Sequence, residues 1–234
     1  MMNVDILDEQ FVLHPQKAIF WKSQRALLLS DLHLGKINHF RKAGIPVPQK
    51  ANDHNLEVLI DLIAKSRPER IICLGDLFHS YYNTEWETFG EVVRHFASID
   101  FELVQGNHDI MGSYQYQRKG VKVHDTLQIG NFLLTHHPLD TIPESTYNIA
   151  GHIHPGVSLI GRGRQAMMLP CFYFGERQAY LPAFGKFTGM ARILPRQQDK
   201  VFVVAEDKII PIGTTQPMTS ASSSTSLPKG QRSV

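Results

Sequence analysis

Five times along this chain, an apolar run ends in side chains able to bind a metal ion. In order, the endings supply Asp31 and His33, Asp76 with His79, Asn107 with His108 and Asp109, His136 with His137, and His152 with His154. They offer carboxylates, imidazoles and one amide, with no thiolate among them. Mixed oxygen and nitrogen donors suit manganese, iron or zinc, whereas an all-oxygen set would suit magnesium or calcium. There are more donors than one ion accepts, and two carboxylates allow one of them to bridge a pair. Two divalent ions roughly 3.5–4 Å apart clamp a phosphoryl centre for in-line displacement and lower the pKa of a water they share.

Each ending has an ordinary reading when taken alone. An aspartate after a strand is commonly a turn or a helix cap, and "GNHD" or the glycines before Asp76, Asn107 and His152 could simply turn the chain. Five such endings in one ordered series are hard to obtain from independent accidents. Ligands of open α/β sheets gather beyond the carboxyl ends of the strands, so the endings are expected on one rim. Asp31 and His33 are two residues apart and would share a side of an extended segment. His136 and His137 are adjacent and would point oppositely, so only one of them should ligate.

The elements that must position these groups follow from hydrophobic pattern. The runs are "ALLLSD" (Ala26–Asp31), "RIICLGD" (Arg70–Asp76), "FELVQGNHD" (Phe101–Asp109), "FLLTHH" (Phe132–His137) and "YNIAGHIH" (Tyr147–His154). Their unbroken apolarity predicts strands buried on both faces. Residues Asn52 to Ser66 place Leu56, Leu59, Ile60 and Ile63 on one helical face and stop before Pro68. Thr84 to Ala97 predicts a second helix, opened by a Thr84–Glu87 capping box and burying Trp86, Phe89, Val93 and Phe96. Strand–helix–strand order predicts an α/β sandwich. From Val157 onward, hairpins around Gly161–Gly163 and Glu206–Asp207 predict a second sheet facing the first. Residues 1–212 read as one domain, and Gly213 to Val234 as a disordered tail rich in serine and threonine.

Composition excludes several classes. Charged residues are 20% and hydrophobic residues 42%, which fits a packed core rather than global disorder. A net charge of +2 neither announces nor forbids a nucleic-acid partner. Cys73 and Cys171 lack zinc-site or disulfide-framework spacing, so a reducing, cytoplasmic setting is expected. Met1 to Gln10 carries three acids and reads as no signal peptide. No apolar stretch approaches the ~20 residues of a membrane helix. His14, His54, His95 and His124 stand outside the pattern and read as structural. Arg162 and Arg164 read as a solvated hairpin tip.

As a set, "DLH", "GDLFH", "GNHD", "THH" and "GHIH" resemble the five blocks of the calcineurin-like metallophosphoesterases, over roughly Ala26 to Pro155. The resemblance implies a four-layer α/β/β/α sandwich with two divalent metal ions, manganese first and iron or zinc as alternatives. It implies that Asp31, His33 and His154 hold one ion, that Asp76 bridges, and that Asn107, His136 and His152 hold the other. His108, placed by Asp109, would be the catalytic acid beside a hydroxide shared by the metals. The segment "DLHLGKINHFRKAGIPVP" (Asp31–Pro48) is similar to the bacterial ligase-associated phosphoesterases of DNA-damage-response clusters. That similarity implies a DNA endonuclease or phosphodiesterase, with DNA ligase and helicase as associates and no membrane. His39, Arg41, Lys42 and His79 would then contact substrate phosphate. Two other functions fit the same residues: a small-molecule phosphodiesterase or phosphatase, and a docking module within a ligase and helicase complex.

Overall fold

The computed structural model describes residues 1–35, 50–79, 82, 84–160, 166–186 and 188–212. His39, Arg41, Lys42, the Gly161–Gly163 hairpin tip with Arg162 and Arg164, and the C-terminal tail lie outside the described residues. Seven strands form the first sheet in chain order: β1 (Met2–Ile6), β2 (Glu9–His14), β3 (Ala18–Trp21), β4 (Ala26–Leu29), β5 (Arg70–Leu74), β6 (Asp100–Val104) and β7 (Val121–His124). β1 to β4 are antiparallel, whereas β4 to β7 are parallel, with Leu29 opposite Cys73 and Leu74 opposite Val104. The second sheet takes β8 (Leu127–Ile129), β9 (Phe132–Thr135), β10 (Tyr147–Ala150), β11 (Pro155–Ile160), β12 (Ala166–Phe174), β13 (Gln178–Tyr180), β14 (Ala191–Arg192), β15 (Lys200–Ala205) and β16 (Lys208–Ile212). β9, β10 and β13 run parallel within it.

Alternation along β4 explains both buried faces. Leu28 points between the sheets, beside Ile72, Leu134, Ile149 and Phe172. Leu27 and Leu29 point the other way, into a cluster under the helices. Helix α1 (Lys50–Ser66) contributes Leu56, Leu59, Leu62 and Ile63 to that cluster, and α2 (Thr84–His95) contributes Trp86, Phe89 and Val93. A short α3 (Ser113–Arg118) adds Tyr116. The molecule is thus an α/β sandwich, and these helices pack on the first sheet. A smaller apolar cluster of the second sheet holds Cys171, Val201 and Val203, with Ile193 packed against them. No helix among the described residues is long and apolar enough to cross a membrane.

Four sequence expectations change. The fourth and fifth strand endings belong to the second sheet, which begins before Val157, so the rim is shared by two sheets. The N-terminal meander β1–β3 has no counterpart in the pattern reading. Ile60 is exposed and Leu62 takes the buried place, since the helix presents a slightly rotated face. The Glu87 carboxylate is engaged by the Tyr82 hydroxyl and Lys119 Nζ rather than closing a capping box.

Trp86 tests the helix-side core. Its ring lies 5.3 Å from Phe78 and 5.2 Å from Tyr116, centroid to centroid. Trp86→Ala is expected to cost about 3–5 kcal/mol through lost burial and a residual cavity. Ile60→Ala should cost about 0.5 kcal/mol or less. Urea unfolding of the two variants checks both values.

Candidate metal centre

Each strand stops just before its chemical residues. β4 ends at Leu29, β5 at Leu74, β6 at Val104, β9 at Thr135 and β10 at Ala150. Beyond those ends Asp31, His33, Asp76, His152 and His154 all adopt left-handed backbone, with φ of 55°, 49°, 52°, 63° and 50°. Such conformations cost about 1–3 kcal/mol each and persist only where the surroundings impose them. Here the imposing contacts are backbone hydrogen bonds between strand-end loops. Asp31 N–H donates to Gly75 O at 3.1 Å, His33 N–H to Asp76 O at 2.9 Å, and His79 N–H to Leu34 O at 2.8 Å. Asp31 and His33 therefore do not share a side by strand alternation; two left-handed turns bring them together. His136 and His137 likewise lie past the end of β9, and both join His152 in one group of donor atoms within 4.8 Å.

The donors form two clusters joined by Asp76. On one side His154 Nε2 is 3.0 Å from Asp31 Oδ1, and His33 Nε2 is 3.7 Å from Asp76 Oδ2. On the other side His136 Nε2 lies 3.4 Å from Asp76 Oδ1, 3.0 Å from Asn107 Oδ1 and 3.2 Å from His152 Nδ1. Two imidazoles have their other nitrogen committed. His136 Nδ1 donates to Leu74 O at 2.9 Å, and His154 Nδ1 donates to Gly189 O at 3.1 Å. With Nδ1 so committed, each ring turns Nε2 toward carboxylate or amide oxygens, an arrangement that a cation between them would satisfy. Carbonyl-anchored histidines of this kind are the usual metal-ligating arrangement. Asp31 and Asp76 are both buried and share one donor group with His136, so their charges repel unless cations lie between them. The residues present therefore fit divalent cations.

Electrostatics run the same way. Burial alone would raise the Asp31 carboxyl, but the His154 hydrogen bond and the His154 and His136 charges hold it below the usual carboxylate range. Partial desolvation, then neighbouring imidazole charge, lowers His137 and His152, which favours the neutral rings that bind metals.

Asp109 does not reach the His108 ring. Its Oδ2 accepts from Asp76 N–H and Gly106 N–H, both at 2.8 Å, and its Oδ1 accepts from Phe78 N–H at 3.1 Å and Tyr116 OH at 3.0 Å. It places His108 through the backbone, by closing the turn that carries it. Burial pushes the Asp109 carboxyl upward, against the pull of the Gly106 and Phe78 donors. His108 N–H donates to Asp76 Oδ1 at 2.9 Å, and its ring stands 4.2 Å from that of His79 and 5.6 Å from that of His33. His124, read as structural, faces Glu102 at 2.9 Å.

Sequence reasoning missed a segment from the second sheet. After β13 the chain crosses the rim: Leu181 N–H donates to Ala150 O at 2.9 Å, Phe184 N–H to Ser30 O at 2.8 Å, and Gly185 N–H to Asp31 O at 3.0 Å. Lys17 Nζ holds Gly185 O at 3.2 Å, and burial lowers that amine to about 8. The same segment supplies the Gly189 carbonyl to His154. A Cβ on Gly185 would stand 2.8 Å from Leu32 O and 3.0 Å from Asp31 O. The glycines of "FGKFTG" were the available signal, but nothing local links them to Asp31. Gly185→Ala is expected to displace Asp31 and weaken divalent-metal binding about 10- to 100-fold, the usual effect of disturbing a ligand's support. Calorimetric Mn²⁺ titration measures it.

The crystal structure of the nuclease MPE of Pseudomonas putida superposes with a TM-score of 0.75 at 25% identity, covering 90% of this chain and 99% of that one. YfcE, a phosphoesterase from E. coli, is 13% identical, with a TM-score of 0.41 over 81% of this chain and 99% of its own. None of the curated proteins matches. The family model for calcineurin-like phosphoesterase matches residues 24–160, which contain all five strand-end blocks. The match spans more than half of the 234 residues, and the chain therefore belongs to the calcineurin-like phosphoesterase family, whose members hydrolyse phosphoester bonds.

Proposed function

We propose that this protein is a two-metal phosphodiesterase that cleaves DNA, working as an endonuclease in DNA repair. The observation that carries the reading is the position of Asp76, with one carboxylate oxygen toward His33 and the other toward His136. A carboxylate so placed serves as the bridge between two ions. Asp31, His33 and His154 hold the first ion with Asp76, and Asn107, His136 and His152 hold the second. Manganese suits this mixed donor set, as do iron and zinc. When bound, such a pair lowers the pKa of water and offsets charge on the phosphoryl oxygens.

The chain's own groups do the rest. His108 is tethered by its backbone to Asp76 and carries the proton given to the leaving oxygen. His79, against the His108 ring, faces the phosphate. His39, Arg41 and Lys42 contact substrate phosphate. DNA as substrate is supported by the likeness to the Pseudomonas putida nuclease and by the "HFRKAGIPVP" segment. The same segment supports a role beside a DNA ligase and a helicase, and cysteines without disulfide-framework spacing support a cytoplasmic setting.

His108→Ala should lower kcat roughly 10²–10⁴-fold on a nitrophenyl phosphodiester while metal content holds. Loss of metal by elemental analysis would instead make His108 a ligand. The substrate is decided by giving the Mn²⁺-loaded protein DNA oligonucleotides and the small diester in parallel. Hydrolysis of the diester with no cleavage of DNA would move the assignment to a small-molecule phosphodiesterase. Contacts with phosphate release counterions, so oligonucleotide binding should weaken between 50 and 200 mM salt, and replacing Arg41 and Lys42 by alanine should flatten that dependence. Fluorescence anisotropy reads it.

A further inference from the structure

We infer that His137 is a third imidazole of the second metal position, making that position richer in nitrogen than the first. This rests on the two-metal reading above. The donor atoms of His136, His137 and His152 lie within 4.8 Å of one another. The His137 ring stands 4.0 Å from that of His152 and 4.7 Å from that of His136, centroid to centroid. Two nitrogens on one ion are at most about 4.2 Å apart, twice a zinc–nitrogen bond. His137 is exposed, so a small turn of its ring supplies the difference.

The loop is built to keep both histidines at the rim. Thr135 Oγ1 donates to His137 O at 2.7 Å, closing a tight turn directly after β9. Thr135 is itself held by Asn148, a fully buried amide whose Nδ2 donates to Thr135 Oγ1 at 2.9 Å and to Leu133 O at 2.8 Å. Asn148 Oδ1 accepts from Leu139 N–H at 3.3 Å and Gln178 Nε2 at 2.8 Å. One side chain thus ties the strand before the two histidines to the residues after them. Pro138 further restricts the His137 backbone. A solvated surface histidine needs none of this support.

The chemical consequence is unequal metal preference. The first position combines Asp31, Asp76, His33 and His154, two carboxylates and two imidazoles. The second combines Asp76, Asn107 and three imidazoles. Imidazole-rich sites favour zinc, cobalt and iron over manganese and magnesium. The second position is therefore the one that retains zinc or cobalt when manganese is in excess.

The test is titration of the metal-free full chain with Co²⁺ alone, and with Co²⁺ against Mn²⁺, followed by calorimetry and cobalt absorption. The His137→Ala chain is expected to bind one equivalent as the unaltered chain does and the other about 10- to 100-fold more weakly. Its preference for Co²⁺ over Mn²⁺ should fall at that weakened equivalent alone. Electron spin-echo spectroscopy of the Mn²⁺-loaded protein should count one coordinated imidazole fewer in the variant. Two equivalents bound by His137→Ala with unchanged affinity would overturn the inference and leave the two-metal reading standing. So would unchanged metal binding with weaker inhibition by inorganic phosphate, which would make His137 a phosphate contact. An unaltered chain that binds fewer than two ions would overturn the two-metal reading and this inference with it.

Discussion

The Asp109 carboxylate is the contact on which the rim depends. Buried behind the loops, it collects the N–H groups of Asp76, Phe78 and Gly106 and the Tyr116 hydroxyl. A buried carboxylate is tolerable only when its lone pairs are satisfied, and four donors do that. The donors come from the loops after β5 and β6 and from α3, so one charge sets three segments. Asp76 returns the link by accepting His108 N–H. This reciprocal latch fixes the left-handed turn at Asp76 and therefore where its two oxygens point.

The second constraint is the meeting of two sheets at one rim. β4, β5 and β6 bring Asp31, His33, Asp76 and Asn107, whereas β9 and β10 bring His136, His137, His152 and His154. Neither sheet alone carries all of these donors. Their relative position is held by the core between them, where Phe11 and Trp21 of the first sheet meet Phe132 of the second at 5.4 and 4.9 Å. The segment after β13 adds a local clasp, hydrogen-bonding to the ends of both β4 and β10. Long-range packing and short-range hydrogen bonds thus act together on Asp31 and His154, the pair most dependent on alignment between sheets.

Much of this was legible in residue order. The apolar runs of β4, β5, β6 and β10 read as buried on both faces because parallel neighbours and covering layers leave no polar side, and their chemical endings mark which end faces the ligand. Reasoning from strand alternation failed where the chain leaves the strand. Asp31 and His33 are arranged by left-handed turns held by contacts remote in sequence, and His136 with His137 by a turn that Thr135 closes. How Asp109 acts was not legible either, because its carboxylate turns inward to backbone donors 31 and 33 residues away.

The sequence by itself determined the chemistry available: which donors exist, that thiolates are absent from the set, and that each donor follows a strand. It could do so because strand pattern and side-chain type are local properties. Only the tertiary structure decided how the donors divide into two clusters around Asp76, which imidazole nitrogen of His136 and His154 faces the rim, and that Lys17, Gly185 and Gly189 support the rim. Those features depend on carbonyls and amides from segments far apart in the chain, brought within hydrogen-bond range by packing, and no local pattern of residues encodes such a distance.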